Sequence, residues 1–186
     1  MPIFLTKANS RATVHRPGYL DYVGVKLVGE DGKLIGERRF LGLYTSTAYT
    51  GASADIPIVR RKCANIMRRA GFLAKGHLHK SLVTVLEQYP RDELFQANED
   101  DLYDIALGIL RLQEHQRTRL FVRRDRFERF VSCLVFVPRE KYNTDLRRRM
   151  AKVLASAYNG TSVEFTPLLS ESPLARIHIV VRAGTG

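Results

Sequence analysis

Residues 119–147 read RLFVRRDRFERFVSCLVFVPREKYNTDLR, and this stretch sets two strands, a turn and the start of a helix side by side. Residues 118–124 and 129–137 have strand character and are joined at Asp125–Glu128. In the second strand Val131, Cys133, Val135 and Val137 occupy one face, and Phe130, Leu134 and Phe136 the other. Apolar residues on both faces mark a central strand covered from both sides. Pro138 has no amide proton to give a sheet and ends the run. Asn143 or Thr144 can then accept from the first free amides of a helix. Leu146, Met150, Val153, Leu154 and Ala157 recur along that helix at helical spacing and are expected to face inward. Burying each large one is worth about 1.5–3 kcal/mol. Repulsion among Arg147, Arg148 and Arg149 costs about 0.2–0.5 kcal/mol per facing pair, so packing wins.

Working outward toward the C-terminus, Asn159-Gly160 closes the helix and strands follow at 161–169 and 174–182. The last alternates Ile177, Ile179 and Val181 inward with Arg176, His178, Val180 and Arg182 outward. The order from 129 to 182 is strand, helix, strand, strand. A split βαβ unit would continue with a second helix and a fourth strand. Neither occurs before Gly186, so the unit is expected to be incomplete and its open edge covered by a partner or by further chain.

Toward the N-terminus, YLDYVGVKLV (19–28) is aromatic and β-branched, and Asp31-Gly32 supplies a tight turn into a return strand at about 33–44. TSTAYTGASAD (45–55) is small, polar and turn-prone. Three helices are expected next. Asp55 can cap the first, Pro57 fits its opening turn, and Gly71 terminates it. Leu78, Leu82, Val85, Leu86 and Tyr89 line the second, which Pro90 stops. The third begins at Asn98, where Glu99, Asp100 and Asp101 suit the positive end of the helix dipole. Its buried stripe reads Leu102, Ala106, Ile109, Leu110 and Gln113.

The formal net charge of +11 is the compositional outlier; the hydrophobic share of 45% and charged share of 26% are those of an ordinary globular chain. The basic residues fall in clusters on several elements, such as Arg60-Arg61-Lys62, Arg123-Arg124 and Arg147-Arg148-Arg149. Scattered clusters suit solvated faces or interdomain contacts better than the single basic stripe of a nucleic-acid binder. No apolar run approaches the roughly 20 residues of a membrane span, and the N-terminus has no signal-peptide pattern. Cys63 and Cys133 read as reduced, buried thiols of a cytoplasmic protein.

Catalytic signatures are missing from the sequence. It has no GxGxxG, no phosphate-binding GxxxxGK[ST] and no GxSxG. Gly76-His77-Leu78-His79 lacks a third metal ligand nearby and suits a helix start. The paired acids of Tyr89-Pro90-Arg91-Asp92-Glu93-Leu94 suit capping better than general acid–base work. His15 and Arg16, preceding a strand, could meet an anion or order their own segment. Arg119, Arg123, Arg124, Arg126 and Arg129, interleaved with Phe121, Phe127 and Phe130, could hold phosphates and bases, or form a salt-bridged hairpin facing an acidic partner surface.

Five blocks together resemble a known family: RATVHRPGYLDYVGVK (11–26), GERRFLGLYTSTAY (36–49), YPRDELFQ (89–96), residues 119–147 quoted above, and ESPLARIHIVVR (171–182). They are similar to the N-terminal regulatory region of the large bacterial NAD-dependent glutamate dehydrogenases. The resemblance implies an α+β fold of antiparallel sheets with helices, in which a PAS-like module precedes an incomplete ACT-like (ferredoxin-like) βαββ unit. The implied division is a connecting segment at 1–18, the PAS-like module at 19–128 and the ACT-like part at 129–186, the strand near 129–138 being shared. It implies a cytoplasmic oligomer whose parent enzyme uses NAD to convert glutamate to 2-oxoglutarate and ammonia. No catalytic, NAD-binding or metal-binding position of that enzyme matches a position here, so this segment is expected to be non-catalytic and to hold no cofactor. The expected partners are the remaining domains and other subunits, with an amino-acid effector as a further possibility. The expected contact residues, interdomain or anionic, are His15, Arg16, Arg119, Arg123, Arg124, Arg126 and Arg139. Two other readings of the sequence are a stand-alone amino-acid sensor and, less favoured, a nucleic-acid binder.

Overall fold

The computed structural model describes residues 2–14, 18–168 and 172–183. The chain divides into two compact units, Met1–Glu99 and Asp100–Gly186. Both combine antiparallel strands with helices, giving the expected α+β class.

The first unit opens with a three-stranded antiparallel sheet in the order β1 (Ile3–Arg11), β2 (Tyr19–Val28), β3 (Leu34–Gly42). The Asp-Gly turn is present, with Gly32 at φ +76°, a conformation that costs glycine little because it has no Cβ. Residues 3–11, expected within a connecting segment, form β1. Ile3 and Leu5 alternate with Phe4 and Thr6 and pair with Val25, Val23, Gly24 and Tyr22 of β2. Gly24 lets the two strands close up, since a Cβ there would lie 2.4 Å from the ring of Phe4. The segment after β3 is less irregular than its small polar residues suggest: it holds α1 (Ser46–Thr50) and a 3-10 turn at Ser53–Asp55.

Helices α2 (Pro57–Ala70) and α3 (His77–Glu87) follow the expected spacing, burying Val59 and Ile66, and Leu82, Val85 and Leu86. Pro57 stands in the opening turn and Gly71 takes the left-handed conformation at the end, but Asp55 does not cap α2: Ile56 occupies that position. Asp55 is instead spent in the preceding 3-10 turn. The YPRDELFQ block makes a separate short helix, α4 (Arg91–Gln96), with Asp92 and Glu93 in its first turn. α5 (Glu99–Glu114) then buries Leu102, Ile105, Ala106, Ile109, Leu110 and Leu112. Gln113, expected in the stripe, is exposed.

In the second unit the strands are β4 (Arg119–Arg124), β5 (Phe130–Pro138), β6 (Gly160–Leu168) and β7 (Leu174–Ala183). Their order is β4-β5-β7-β6, all neighbours antiparallel. β5 and β6 flank β7 and so run parallel, joined by α6 (Thr144–Ala157); this is the strand-helix-strand-strand unit expected from the sequence. The outer edge of β5 is filled by β4, so the hairpin and the ACT-like unit share one sheet. The compact units accordingly part at Glu99/Asp100, whereas the sequence placed the division near residue 129.

One face of this sheet packs against α6. Cys133, Val135 and Val137 of β5, Ala175, Ile177, Ile179 and Val181 of β7, and Leu154 of α6 form its core. Leu146 and Met150 face it as expected, but Val153 is 65% exposed and Ala157 is exposed as well. Leu146, Met150 and Leu154 already fill the inward stripe at i, i+4 and i+8, which leaves Val153 on the solvent side. Asn143 caps α6, its Oδ1 accepting from the Leu146 amide at 2.8 Å. The other face carries Phe130, Leu134 and Phe136, with Phe121 of β4 edge-on to Phe136 at 5.9 Å. α5 approaches there: a Cβ on Gly108 would fall 2.5 Å from the Phe121 ring.

Candidate functional site

The arginine hairpin is organised by an acid. Asp125, at the end of β4, is 4% exposed. Its carboxylate accepts two bonds from the Arg129 side chain, Nε to Oδ2 at 2.7 Å and Nη2 to Oδ1 at 3.1 Å, and one each from the amides of Phe127 at 3.2 Å and Arg129 at 3.4 Å. The turn also forms Glu128 N–H to Asp125 O at 2.9 Å and places Glu128 at φ +56°. Burial alone would raise the Asp125 pKa, but the bonds from Arg129 outweigh it and hold the carboxyl below its ordinary value. A planar guanidinium matched to both oxygens makes this a strong, oriented pair.

Three guanidiniums gather around Phe130, the first residue of β5. Arg182 of β7 lies 5.4 Å from its ring centre, Arg123 5.7 Å and Arg129 6.0 Å. Register accounts for the grouping: Phe130 stands opposite Arg182, and Ser132 opposite Arg123, on one face of the sheet. The negative ring face attracts cations, and Arg123 is buried to 5% exposure. On the same face Ser132 Oγ and His178 Nε2 are 2.8 Å apart, and Glu164 lies 3.8 Å from Arg182 Nε.

The five expected contact residues that lie among the described residues are thus dispersed. Arg123 joins the Phe130 group, while Arg124 and Arg126 are exposed near the turn. Arg119, also exposed, sits at the other end of β4 opposite Phe136, and Arg139 lies beyond β5 at that same end. Five residues of strand put those ends about 17 Å apart. His15 and Arg16 lie outside the described residues. Arg182 was legible only as an outward-facing strand residue, because its place beside Phe130 depends on pairing across 52 residues of chain.

The first unit holds a second charged constellation that sequence reasoning missed. Lys7 Nζ of β1 lies 2.6 Å from Asp21 Oδ1 of β2 and 2.9 Å from Asp92 Oδ1 of α4. Tyr49 Oη donates to Asp92 Oδ1 at 2.9 Å, and the Tyr44 amide donates to Asp21 Oδ2 at 2.7 Å. Burial pulls the Lys7 pKa down, but Asp92 and Asp21 together carry it above the ordinary lysine value. Burial and the neighbouring Asp92 raise the Tyr49 pKa, and burial and the neighbouring Asp21 raise that of Tyr44. A lysine held so firmly charged is a clamp between sheet and α4 and is unsuited to act as a nucleophile or base.

α4 is fastened at its other end by Lys62. This buried ammonium donates to the carbonyls of Leu94, Phe95 and Ala97 at 3.0, 2.7 and 2.7 Å. Those are among the last carbonyls of a helix, which lack intrahelical partners. Arg91 adds bonds to Ser53 Oγ at 2.8 Å and Gly51 O at 2.9 Å. Asp92 of the YPRDELFQ block therefore serves docking as well as helix initiation. Cys63, beside this helix cluster, has its thiol pushed up to about 11 by burial and by Glu87, which makes it a poor nucleophile. Both charged constellations consist of groups paired with one another.

Comparison with known families defines the class first. Residues 119–186 match the glutamate dehydrogenase ACT2 domain, and residues 56–115 match glutamate dehydrogenase helical motif 1. The ACT2 match begins at Arg119, the first residue of β4, and so includes the hairpin. The relatives give the particular kind. The chain is 46% identical over 184 residues to the NAD-specific glutamate dehydrogenase of Halomonas elongata and 44% identical over 183 residues to that of Pseudomonas aeruginosa. It is 36% identical over 155 residues to that of Mycobacterium tuberculosis. These alignments cover 98%, 97% and 82% of this chain. Nearly the whole chain is thus similar to one part of the NAD-specific glutamate dehydrogenases. It spans about a tenth of the length of these relatives: 11%, 11% and 9%.

Proposed function

We propose that these 186 residues are a non-catalytic regulatory and assembly segment of an NAD-dependent glutamate dehydrogenase. The parent polypeptide would oxidise glutamate with NAD to 2-oxoglutarate, ammonia and NADH, the NAD bound elsewhere in it. The observation that carries this reading is the coverage: 98% of the chain aligns with only 11% of a dehydrogenase. The matched portions are ACT2 and a helical motif. The charged clusters support it, since Asp125, Lys7 and Lys62 are engaged in holding elements together. In this reading Arg124, Arg126, Arg119 and Arg139, all exposed, are contacts to other domains or subunits, and the protein works in the cytoplasm. An amino-acid effector acting through the segment would have to bind two states of the enzyme unequally.

The test is to purify residues 1–186, mix them with the remainder of the parent polypeptide and measure mass by light scattering. A stable complex or self-association is expected. A chain that stays monomeric and ignores the remainder overturns the assembly role. Glutamate-dependent NADH formation by the 186 residues alone overturns the non-catalytic reading.

A further inference from the structure

The outer side of β3 presents a sheet edge with exposed apolar residues. β3 ends the order β1-β2-β3, and among the described residues no strand lies beyond it. Its exposed apolar residues are Leu34 at 63%, Ile35 at 70%, Phe40 at 53% and Leu41 at 60%. A nine-residue edge with apolar side chains at both ends is a template for strand pairing.

The faces decide what kind of element fits. Phe40 stands opposite Val23 on one face, whereas Leu41 stands opposite Tyr22 on the other. The register shifts at Ile35, between the pairs Leu27–Gly36 and Val28–Leu34, so the alternation is interrupted there. A helix laid on either face would leave the other set uncovered. Only an element in the plane of the sheet covers both, and that element is a strand.

Charge decides whose strand it is. The middle of β3 is Glu37-Arg38-Arg39; Glu37 is bound by Tyr22 and lies 3.3 Å from Arg39 Nε. Arg38 is exposed and Arg39 has 69% of its side chain exposed, so the edge is cationic at its centre. A second copy paired antiparallel so that Glu37 meets Arg39 would set Arg38 directly against Arg38. Like charges directly opposite are destabilising, and each copy carries a net +11. An acidic centre suits this edge better.

From these observations we infer that β3 is completed by an extended segment of the parent polypeptide outside these 186 residues, apolar at both ends and acidic in the middle. The inference rests on the assembly reading above and gives it one surface and one partner chemistry. The length of the relatives leaves ample chain to supply the strand, since this segment is 11% of them.

The experiment uses the full-length dehydrogenase that carries this segment. Hydrogen exchange is read amide by amide across residues 34–42. Pairing on both sides predicts comparable protection at consecutive amides; a pattern in which alternate amides exchange about a hundredfold faster overturns the inference. A photo-crosslinking residue at Ile35 or Leu41 is expected to join a peptide outside residues 1–186 with acidic residues at its centre. Adducts to residues 34–42 of another copy, to another part of this segment, or to no peptide overturn it. Arg38→Glu is expected to uncover the alternating pattern, and unchanged protection in that variant counts against the acidic strand. A segment that binds the remainder of the enzyme while β3 keeps its alternating exchange leaves the assembly role standing and removes this inference alone.

Discussion

Lys62→Met tests most directly how the helices of the first unit are held. The substitution keeps an unbranched apolar stem and removes the ammonium that donates to Leu94, Phe95 and Ala97. A hydrogen bond involving a charged group is worth about 1.5–3 kcal/mol net, and a buried acceptor left without a donor costs about 1–3 kcal/mol. Three such carbonyls lose their shared donor together. Leu94, Phe95 and Ala97 are 0%, 6% and 1% exposed, so water has little access to replace it. Against this stands the relief of no longer burying a charge, worth several kcal/mol for an ion taken out of water. The balance comes to a loss of about 2–4 kcal/mol, because three buried carbonyls are left without a donor while one charge is relieved. For a chain of this length that corresponds to a fall in Tm of about 5–15 °C. Urea unfolding followed by helical circular dichroism gives the loss, and amide exchange in α4 shows where it falls. A loss below about 1 kcal/mol, with α4 still protected, would refute the reasoning that the lysine caps this helix.

The remaining expectations concern the hairpin, the sheet clamp, a close approach and a thiol. Asp125 has a folded pKa below its unfolded value, so its contribution to stability is complete above the unfolded pKa near 3.9 and is lost as pH falls through the folded value. Carboxyl NMR should place its midpoint below that of a free aspartate, and Arg129→Gln should move the midpoint up and lower stability at neutral pH but not at pH 2. Asp92→Asn removes one of the two carboxylates on Lys7 and is expected to cost about 1–3 kcal/mol, read by urea unfolding; no loss would mean that the contact is idle. Gly108→Val drives side-chain carbon into the Phe121 ring, 2.5 Å from the Cβ position, and should cost about 1–3 kcal/mol; full stability would show that α5 and β4 can separate freely. Cys63, with its thiol at about 11 against the usual 9.0, should alkylate about a hundredfold more slowly than a free cysteine at pH 8, and rapid modification by iodoacetamide would contradict its burial.

How far the chain could be read depended on the distance over which its signals act. Repeats of three and four residues gave α2, α3, α5 and α6, because one helix face is a local property of sequence. β1 was missed because Ile3–Arg11 is short of strand-formers at its polar end and earns its place by pairing with β2. The acids of residues 92 and 93 were read as helix-start residues, which they are, but not as the partner of Lys7, which lies 85 positions away. The arginine hairpin was legible as a hairpin; that Arg123 and Arg129 turn to Phe130 while Arg119 and Arg139 sit at the far end follows from register.

By itself the sequence determined the α+β class, the helix faces, the two-sided burial of residues 130–137 and, through its long blocks, the resemblance to the glutamate dehydrogenases. These rest on local periodicity and on runs of residue identity, neither of which needs a partner in space. Tertiary structure alone decided that β4 joins the ACT-like sheet and that Lys62 and Lys7 bracket α4. It alone showed that β3 is left with apolar residues on both faces. The reason is that strand pairing and buried ion pairs gain their free energy from groups distant in the chain. Which distant groups meet is fixed only when the whole unit closes.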